Sequence, residues 1–347
     1  MATETTPTLP TFDNPEAASQ HIFQIATGYI ASTALYIAVR MKIADHLVSG
    51  PKSTAELAAK TSADEDALYR VLRLLATLGV FTEVTPRTFA NTMPSQTMIS
   101  GQRGSTYDMA LWMADPFHMR VYAHAMHSVM TGKPAAEKAT GLPVFEVFSK
   151  DPELSEVFNN AMTAFSAFVI PAALDAYDFS GIDTLVDIAG GHGQVLISVL
   201  QRYPNMRGVL FDLPHVIKGA VPRIPAAGVH NRLTTETGDF FKSVPSGGDA
   251  YIMKHIIHDW DDERALKILE NIKKAMKPGG RVILLESVLL PGSTQPDFGK
   301  LIDLEMLFMP GGRERTEEEF RALFQRAGMT VTRIVPTQSP LSVIEAR

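Results

Sequence analysis

Two rhythms of apolar and polar residues divide this chain. Up to about Tyr177, apolar positions recur three or four residues apart, as on one face of a helix, with few strand-like alternations. From Thr184 onward, short apolar runs alternate with helical patterns. The stretch DFSGIDT marks the change and predicts three parts: a short tail over 1–15, a helical domain over 16–178 and a sheet-bearing domain over 179–347. Within the helical part, STAELAAKTSADEDALYRVLRLLATLGVFTEVTPRTFANT predicts two short helices, a longer one and a β-wing, the pattern of a winged helix. Ser53 or Thr54 can cap the first helix, with Glu56 in its opening turn, and Ala63, Asp64 and Glu65 open the next. The helix that would read DNA begins with acids where phosphates demand cations, so a dimerising use is expected instead. Later helices, including PELSEVFNNAMTAFSAFVIPAALDAYD, are apolar over much of their surface, as a cover for a partner subunit or a substrate cavity would be, although core packing explains the same pattern.

In the second half, the strand candidates are TLVDIAG, RGVLFDL, LTTETGDFF, AYIMKHI, RVILLESVLL, MTVTRIV and LSVIEAR. The helical patterns between them predict a doubly wound, mostly parallel sheet. The last two strands are joined only by VPTQSP, too short for a parallel crossover, so they should form an antiparallel hairpin.

Composition narrows the class without changing that picture. The 347 residues, 45% of them hydrophobic and 20% charged, suit a globular protein of two domains. A formal charge of -6 offers no basic surface for nucleic acid. The chain has no cysteine, hence no disulfide framework and no thiolate site, which fits a reducing cytoplasm. The polar start MATETTPTLPTFDNPE is expected to be a flexible tail rather than a secretory signal. The apolar stretch ATGYIASTALYIAVRMKIADHLV is broken by Arg40, Lys42 and Asp45, so a buried helix is expected there and no membrane span.

Candidate chemistry gathers at the ends of the predicted strands. LVDIAGGHGQ places Asp187 at the end of the first strand and Ala189, Gly190, Gly191 and Gly193 in the turn that follows. The turn could cradle a dinucleotide, yet the third glycine of that fingerprint is Leu196. FDLP puts Asp212 where a carboxylate can accept from a ribose diol, and GDFF adds Asp239 for an amino group and Phe240 for a purine face. Acids without a cationic phosphate clamp suit S-adenosylmethionine, which is positive, better than NAD. The stretch MKHIIHDWDDE then sets His255 and His258 beyond an apolar strand.

With MKHIIHDWDDE, FDLPHV, GDFF and GGRERTEEEF all in order, the chain resembles the small-molecule O-methyltransferases of the caffeic acid and hydroxyindole type over nearly its whole length. The resemblance implies a Rossmann-like class I methyltransferase sheet with an antiparallel terminal hairpin, and a mainly α-helical, winged-helix-like N-terminal domain that mediates homodimerisation. It implies S-adenosylmethionine as cofactor, held by Gly190, Gly191, Asp212, Asp239, Phe240, Lys254 and Trp260. His258 matches the family's catalytic base, and Glu286 and Glu314 match the two acids that flank it. His255 is then expected to be structural. Asp259 and Asp261 are candidate helix caps. Departures from the family are Ala189 in place of a first glycine, MLFMP with no asparagine before GGRERT, and Phe165 at a commonly polar position. The first could alter cofactor affinity; the other two point to a greasier acceptor than a hydroxycinnamic acid, for which Phe158, Met162, Phe165, Met306 and Met309 are candidate walls.

A phenol titrates near ~10 and an imidazole near ~6.5, so full deprotonation before attack is uphill. Once the oxygen attacks a methyl group its proton becomes acidic, and a neutral imidazole can remove it. No metal is required, and no set of acids and histidines at ligand spacing is evident in the sequence. The expected function is therefore metal-independent O-methylation of a small hydroxylated aromatic or polyketide-like molecule. Alternatives are a relative that uses S-adenosylmethionine for hydroxylation or decarboxylation, a ligand-sensing winged-helix regulator, and a nicotinamide enzyme.

Overall fold

A computed structural model describes residues 12–102 and 104–347. Most of the expected tail lies outside the described residues; its last residue already opens the helix Pro15–Ala26, whose first turn is closed by the Asn14 side chain accepting from the Ala17 N–H at 2.8 Å. Two compact units follow, one of 1–120 with 148–165, the other of 121–147 with 166–347. A single cut at 178 does not describe them. Helices over 121–147 and 166–178 pack with the sheet, because an amphipathic face looks alike in sequence whichever core it covers.

In the first unit, strands β1 (Lys52–Ser53), β2 (Phe81–Thr85) and β3 (Thr88–Asn91) form a small antiparallel sheet in the order β1-β3-β2. Ser53 caps the helix Thr54–Thr61 through a reciprocal box with Glu56, and Asp64 caps Glu65–Thr77. Leu57, Leu68, Leu72, Leu75, Phe81 and Phe89 fill the core between helices and wing. The wing predicted from the sequence is present.

The second unit is built on seven strands. These are β4 (Thr184–Ile188), β5 (Arg207–Asp212), β6 (Leu233–Thr237), β7 (Ala250–Lys254), β8 (Arg281–Glu286), β11 (Val331–Pro336) and β12 (Ser342–Ala346), in the order β11-β12-β8-β7-β4-β5-β6. The five strands β4 to β8 run parallel to one another, whereas β12 runs antiparallel to both β8 and β11, the latter pair being the predicted hairpin. Ala250 to Met253 and Val282 to Glu286 are all buried, as central strands covered on both faces require. Two short strands, β9 (Val288–Leu289) and β10 (Arg315–Thr316), pair in parallel outside this sheet.

From β4 the chain winds outward through β5 and β6, then returns to place β7 on the other side of β4. That reversal opens a crevice beyond the carboxyl ends of β4 and β7, the usual seat of a ligand in such sheets. By length and composition, Pro152–Ala176 is apolar enough to cross a membrane, although core helices of globular proteins pass the same test.

Candidate active site

The turn after β4 forms one wall of the crevice. Ala189, Gly191 and Gly193 all adopt positive φ, 53°, 60° and 79°, and Gly193 leads into the helix Gln194–Arg202. Ala189 thus holds a left-handed conformation that its methyl group makes costly. A Cβ on Gly190 would lie 2.5 Å from the Leu210 side chain and 2.6 Å from the Asp187 carboxylate, so the turn is pressed onto those two residues and leaves its other face to a ligand. The Gly191 N–H donates to Asp212 Oδ2 at 2.8 Å, and Leu213 N–H to Oδ1 at 2.6 Å. Asp212 therefore braces the turn with both carboxylate oxygens.

The electrostatics of this wall favour a cation. Burial pushes the Asp187 carboxyl up to about 7, with Asp212 adding to the rise. Asp187 Oδ2 is buried with no hydrogen-bond partner among the described residues. Burial likewise raises Asp212 and depresses the ammonium of Lys254 at the end of β7, against the pull of Glu286, Asp187 and Asp259.

Asp239 and Phe240 follow β6. Asp239 Oδ1 accepts from the Phe241 N–H at 2.9 Å, while the Phe240 carbonyl accepts from Asn271 Nδ2 at 2.8 Å. The Trp260 ring packs at 4.8 Å from Phe241 and 6.0 Å from Phe240, which fixes an aromatic cluster at this end of the crevice. Its indole N–H is buried with no hydrogen-bond partner among the described residues.

The histidine stretch leaves β7 through a single 3-10 turn, Ile257–Asp259. His258 is buried, and its Nδ1 lies 2.7 Å from Glu314 Oε1 and 3.9 Å from Glu286 Oε2. Glu286 accepts from the N–H groups of Ile256 and Ile257 at 3.0 and 2.9 Å, so it holds the approach to the turn rather than the ring. The pairing of β9 with β10 is what brings these acids together: it lays Arg315 beside Val288, each one or two residues past its glutamate. Burial raises both carboxyls, and Glu314, with Asp303 nearby, reaches about 8. Asp303 in turn accepts from the Glu314 N–H at 2.8 Å.

Several residues here were not singled out from the sequence. Asp259 was expected as a helix cap; the cap of Asp262–Ala275 is Asp261, and Asp259 Oδ1 instead lies 3.6 Å from His258 Nε2, with burial pushing its carboxyl up to about 7. Gly312 has no room for a side chain: a Cβ there would lie 1.9 Å from the His258 carbonyl oxygen. The next N–H, of Arg313, donates to that same oxygen at 2.8 Å. Arg315 is fully buried and reaches back to the turn from β10. The signal for Gly312 and Arg315 was the GGRERT run itself, of which the sequence reading took only Glu314 as a site residue.

His255 carries a positive φ of 51°, and its ring centroid lies 4.3 Å from that of His258. Contrary to the expectation that no acid and histidine set stands at ligand spacing, His255, His258 and Glu314 offer donor atoms within 4.8 Å of one another. Nδ1 of His258 is already engaged with Glu314, so a metal there would displace that bond.

The candidate walls divide between the two units. The Met306 carbonyl accepts from the N–H groups of Gly311 and Gly312, at 2.8 and 3.1 Å, and Met309 is buried at the end of the helix Phe298–Phe308, which ties both to the turn beneath His258. Phe158, Met162 and Phe165 belong to the first unit, where Phe158 stacks on Phe148 at 4.7 Å and meets Trp112 edge-on at 5.2 Å.

Comparison with known proteins bears on what this arrangement is for. Residues 122–330 match the O-methyltransferase domain, and residues 23–101 the O-methyltransferase dimerisation domain. The chain is 42% identical to a phenazine O-methyltransferase of Lysobacter antibioticus, over 95% of this chain and 96% of that protein. It is 33% identical to a phenazine-1-carboxylate N-methyltransferase of Pseudomonas aeruginosa, over 92% and 94%. Among solved structures it superposes on LaPhzM with a TM-score of 0.90, at 42% identity over 95% of this chain and 99% of that one. It also superposes on the methyltransferase CalO1 of calicheamicin biosynthesis, crystallised with S-adenosylhomocysteine, with a TM-score of 0.83 at 32% identity over 96% and 99%. With both halves matched in order and the fold shared end to end, the chain belongs to the O-methyltransferase family that its motifs resemble.

Proposed function

We propose that this protein transfers the methyl group of S-adenosylmethionine to a hydroxyl group of a small aromatic or polyketide-like molecule, without a metal, using His258 as general base. The observation that carries this reading is the 2.7 Å contact between His258 Nδ1 and buried Glu314. An ionised Glu314 accepts the Nδ1 proton, which leaves the Nε2 lone pair to take a proton from the acceptor.

The cofactor supplies a methyl group made electrophilic by its sulfonium. Asp187 and Asp212 answer its positive charge, the Gly190–Gly191 turn gives it backbone to lie against, and Asp239, Phe240 and Trp260 suit an adenosine. Lys254 lies on the same side. As the acceptor oxygen bonds to the methyl carbon and the carbon-sulfur bond breaks, its proton passes to His258 Nε2. Glu286 keeps the turn in place through two backbone N–H groups, and Met306 and Met309, tied to the turn beneath His258, offer apolar surface to the acceptor.

A homodimer is part of the reading. Ile22, Phe23, Ile25, Tyr29 and Ile30 are large, apolar and exposed within or beside the matched dimerisation segment, a patch that a second copy would cover. The cysteine-free composition fits a cytoplasmic enzyme.

Transfer to nitrogen is the second reading, favoured by the N-methyltransferase relative. A pyridine-type ring nitrogen presents a lone pair and no proton, so it needs no base; an oriented imidazole is useful where a proton must leave, which favours a hydroxyl. A panel of matched hydroxy-, amino- and aza-aromatics with labelled S-adenosylmethionine separates the two. Label is expected on hydroxylated members. Label confined to nitrogen would overturn the oxygen assignment, and calorimetry showing NAD bound in preference to S-adenosylhomocysteine would sink the methyltransferase reading altogether.

The pH dependence follows from Glu314. Its carboxyl, raised to about 8, is protonated at lower pH and then donates to Nδ1, which puts the ring proton on Nε2 and blocks the base. Turnover should therefore rise with pH up to and through the region of about 8, where Glu314 ionises. Glu314→Gln is expected to flatten that rise and lower kcat by about 10- to 100-fold, since it can still accept from Nδ1–H but bears no charge. A pH-rate profile with an unchanged rise in the variant would show that another group controls it.

A further inference from the structure

We propose that Arg315 is a positioning residue for methyl transfer, its guanidinium fixing the backbone of the turn that aims His258. The inference rests on the reading of His258 as base. Arg315 is 0% exposed, yet the carboxylate it pairs with, Asp262, lies toward the surface. Pairing a charge does not require such depth. The depth is explained by where the other donors go: Nη1 to the carbonyls of Ile257 at 3.1 Å and Arg313 at 3.3 Å, and Nη2 to that of Trp260 at 2.9 Å. Nε and Nη2 both reach Asp262 Oδ1, at 3.0 and 2.8 Å.

Those acceptors bracket His258 on both sides. A lone 3-10 turn has one internal bond and little stability of its own, so its carbonyls need donors from outside. A planar fork with five N–H groups meets several of them at fixed angles, which a lysine ammonium cannot do. The dipeptide Glu314-Arg315 at the start of β10 thus holds the ring through Glu314 and the backbone through Arg315, and the two degrees of freedom that would misdirect Nε2 are removed together. Nothing about the turn's sequence alone would keep it there.

The test uses the full-length protein and compares Arg315→Met, Arg315→Lys and His258→Ala in steady-state methyl transfer, with S-adenosylhomocysteine affinity and unfolding midpoint as controls. For Arg315→Met, kcat should fall by about 100-fold, the scale of a misplacement near 1 Å, with KM for S-adenosylmethionine and S-adenosylhomocysteine binding near wild type. The rise of rate with pH supplies a readout that a merely structural role would not move. His258 is faced by Glu314 from just before β10, Glu286 from β8, and Asp259 and His255 from its own stretch, while Glu314 has beside it Asp303 of the helix Phe298–Phe308, Asp297 at that helix's cap, and Arg315, whose charge draws the Glu314 carboxyl down. Removing that charge should move the rise to higher pH in Arg315→Met, whereas Arg315→Lys should return it to the wild-type position while recovering only part of kcat.

The inference is overturned if folded Arg315→Met keeps wild-type kcat, or if its loss follows weakened S-adenosylhomocysteine binding with the pH profile unmoved. If His258→Ala keeps full turnover, the reading of the base fails and the inference with it. An inactive His258→Ala beside an unimpaired Arg315→Met sinks the inference alone.

Discussion

Replacing His258 with alanine is expected to lower kcat by about 100- to 10,000-fold, the usual worth of a positioned general base. S-adenosylhomocysteine affinity should be close to wild type, because the ring belongs to the turn after β7 and not to the glycine turn or the adenosine end of the crevice. The loss should appear in kcat and kcat/KM alike, as it does when an interaction made only in the transition state is removed. Single-turnover transfer of labelled methyl to a hydroxylated aromatic, with calorimetry on the same preparation, makes the measurement. Undiminished turnover would refute the assignment. A residual rate well above the uncatalysed reaction is also expected, since alignment of acceptor and methyl in a dry pocket survives the substitution.

Gly312→Ala should be nearly as damaging without touching a titratable group. A methyl group 1.9 Å from the His258 carbonyl oxygen and 2.3 Å from the Asp259 carbonyl carbon cannot be accommodated by a side-chain rotation, because both neighbours are backbone. The turn must move, and the bond from the Arg313 N–H to that oxygen goes with it. We expect a loss of about 100-fold in kcat from displacement of the base, together with roughly 1–3 kcal/mol of stability, the usual cost of overpacking. Urea unfolding and steady-state kinetics on one preparation read both. Wild-type kcat in this variant would mean that the turn can shift without redirecting the imidazole.

How much of this was legible in the sequence depends on whether the signal was local. The order of strands and helices, the closing hairpin, and the helix starts at Ser53 and Asp64 were all legible, because each rests on residues a few positions apart. The glycine turn and the acids at the strand ends were legible for the same reason. The division into units was not: the composition changes near DFSGIDT, whereas packing assigns 121–147 and 166–178 to the sheet, and only contacts show which core a helix covers. Asp259 and Asp261 are equivalent as caps until the backbone bends, and the bend gives the helix to Asp261 and turns Asp259 toward the imidazole. Arg315 looked like an ordinary charge beside a glutamate. Its role is set by a turn more than fifty residues earlier in the chain, and no periodicity records such a reach.

The parallel pairing of β9 and β10 separates two kinds of change that the protein can undergo. Val288 and Leu289 lie in register with Arg315 and Thr316, so the two glutamates are set by this short ladder and not by the length of chain between them. The loop between Leu289 and the helix Phe298–Phe308 can therefore lengthen or shorten while the acids beneath His258 keep their places, whereas the helix itself is tied to them through Asp303 and the Met306 carbonyl. Insertions in that loop should leave the acids in register, whereas substitutions in the ladder itself would shift both glutamates at once.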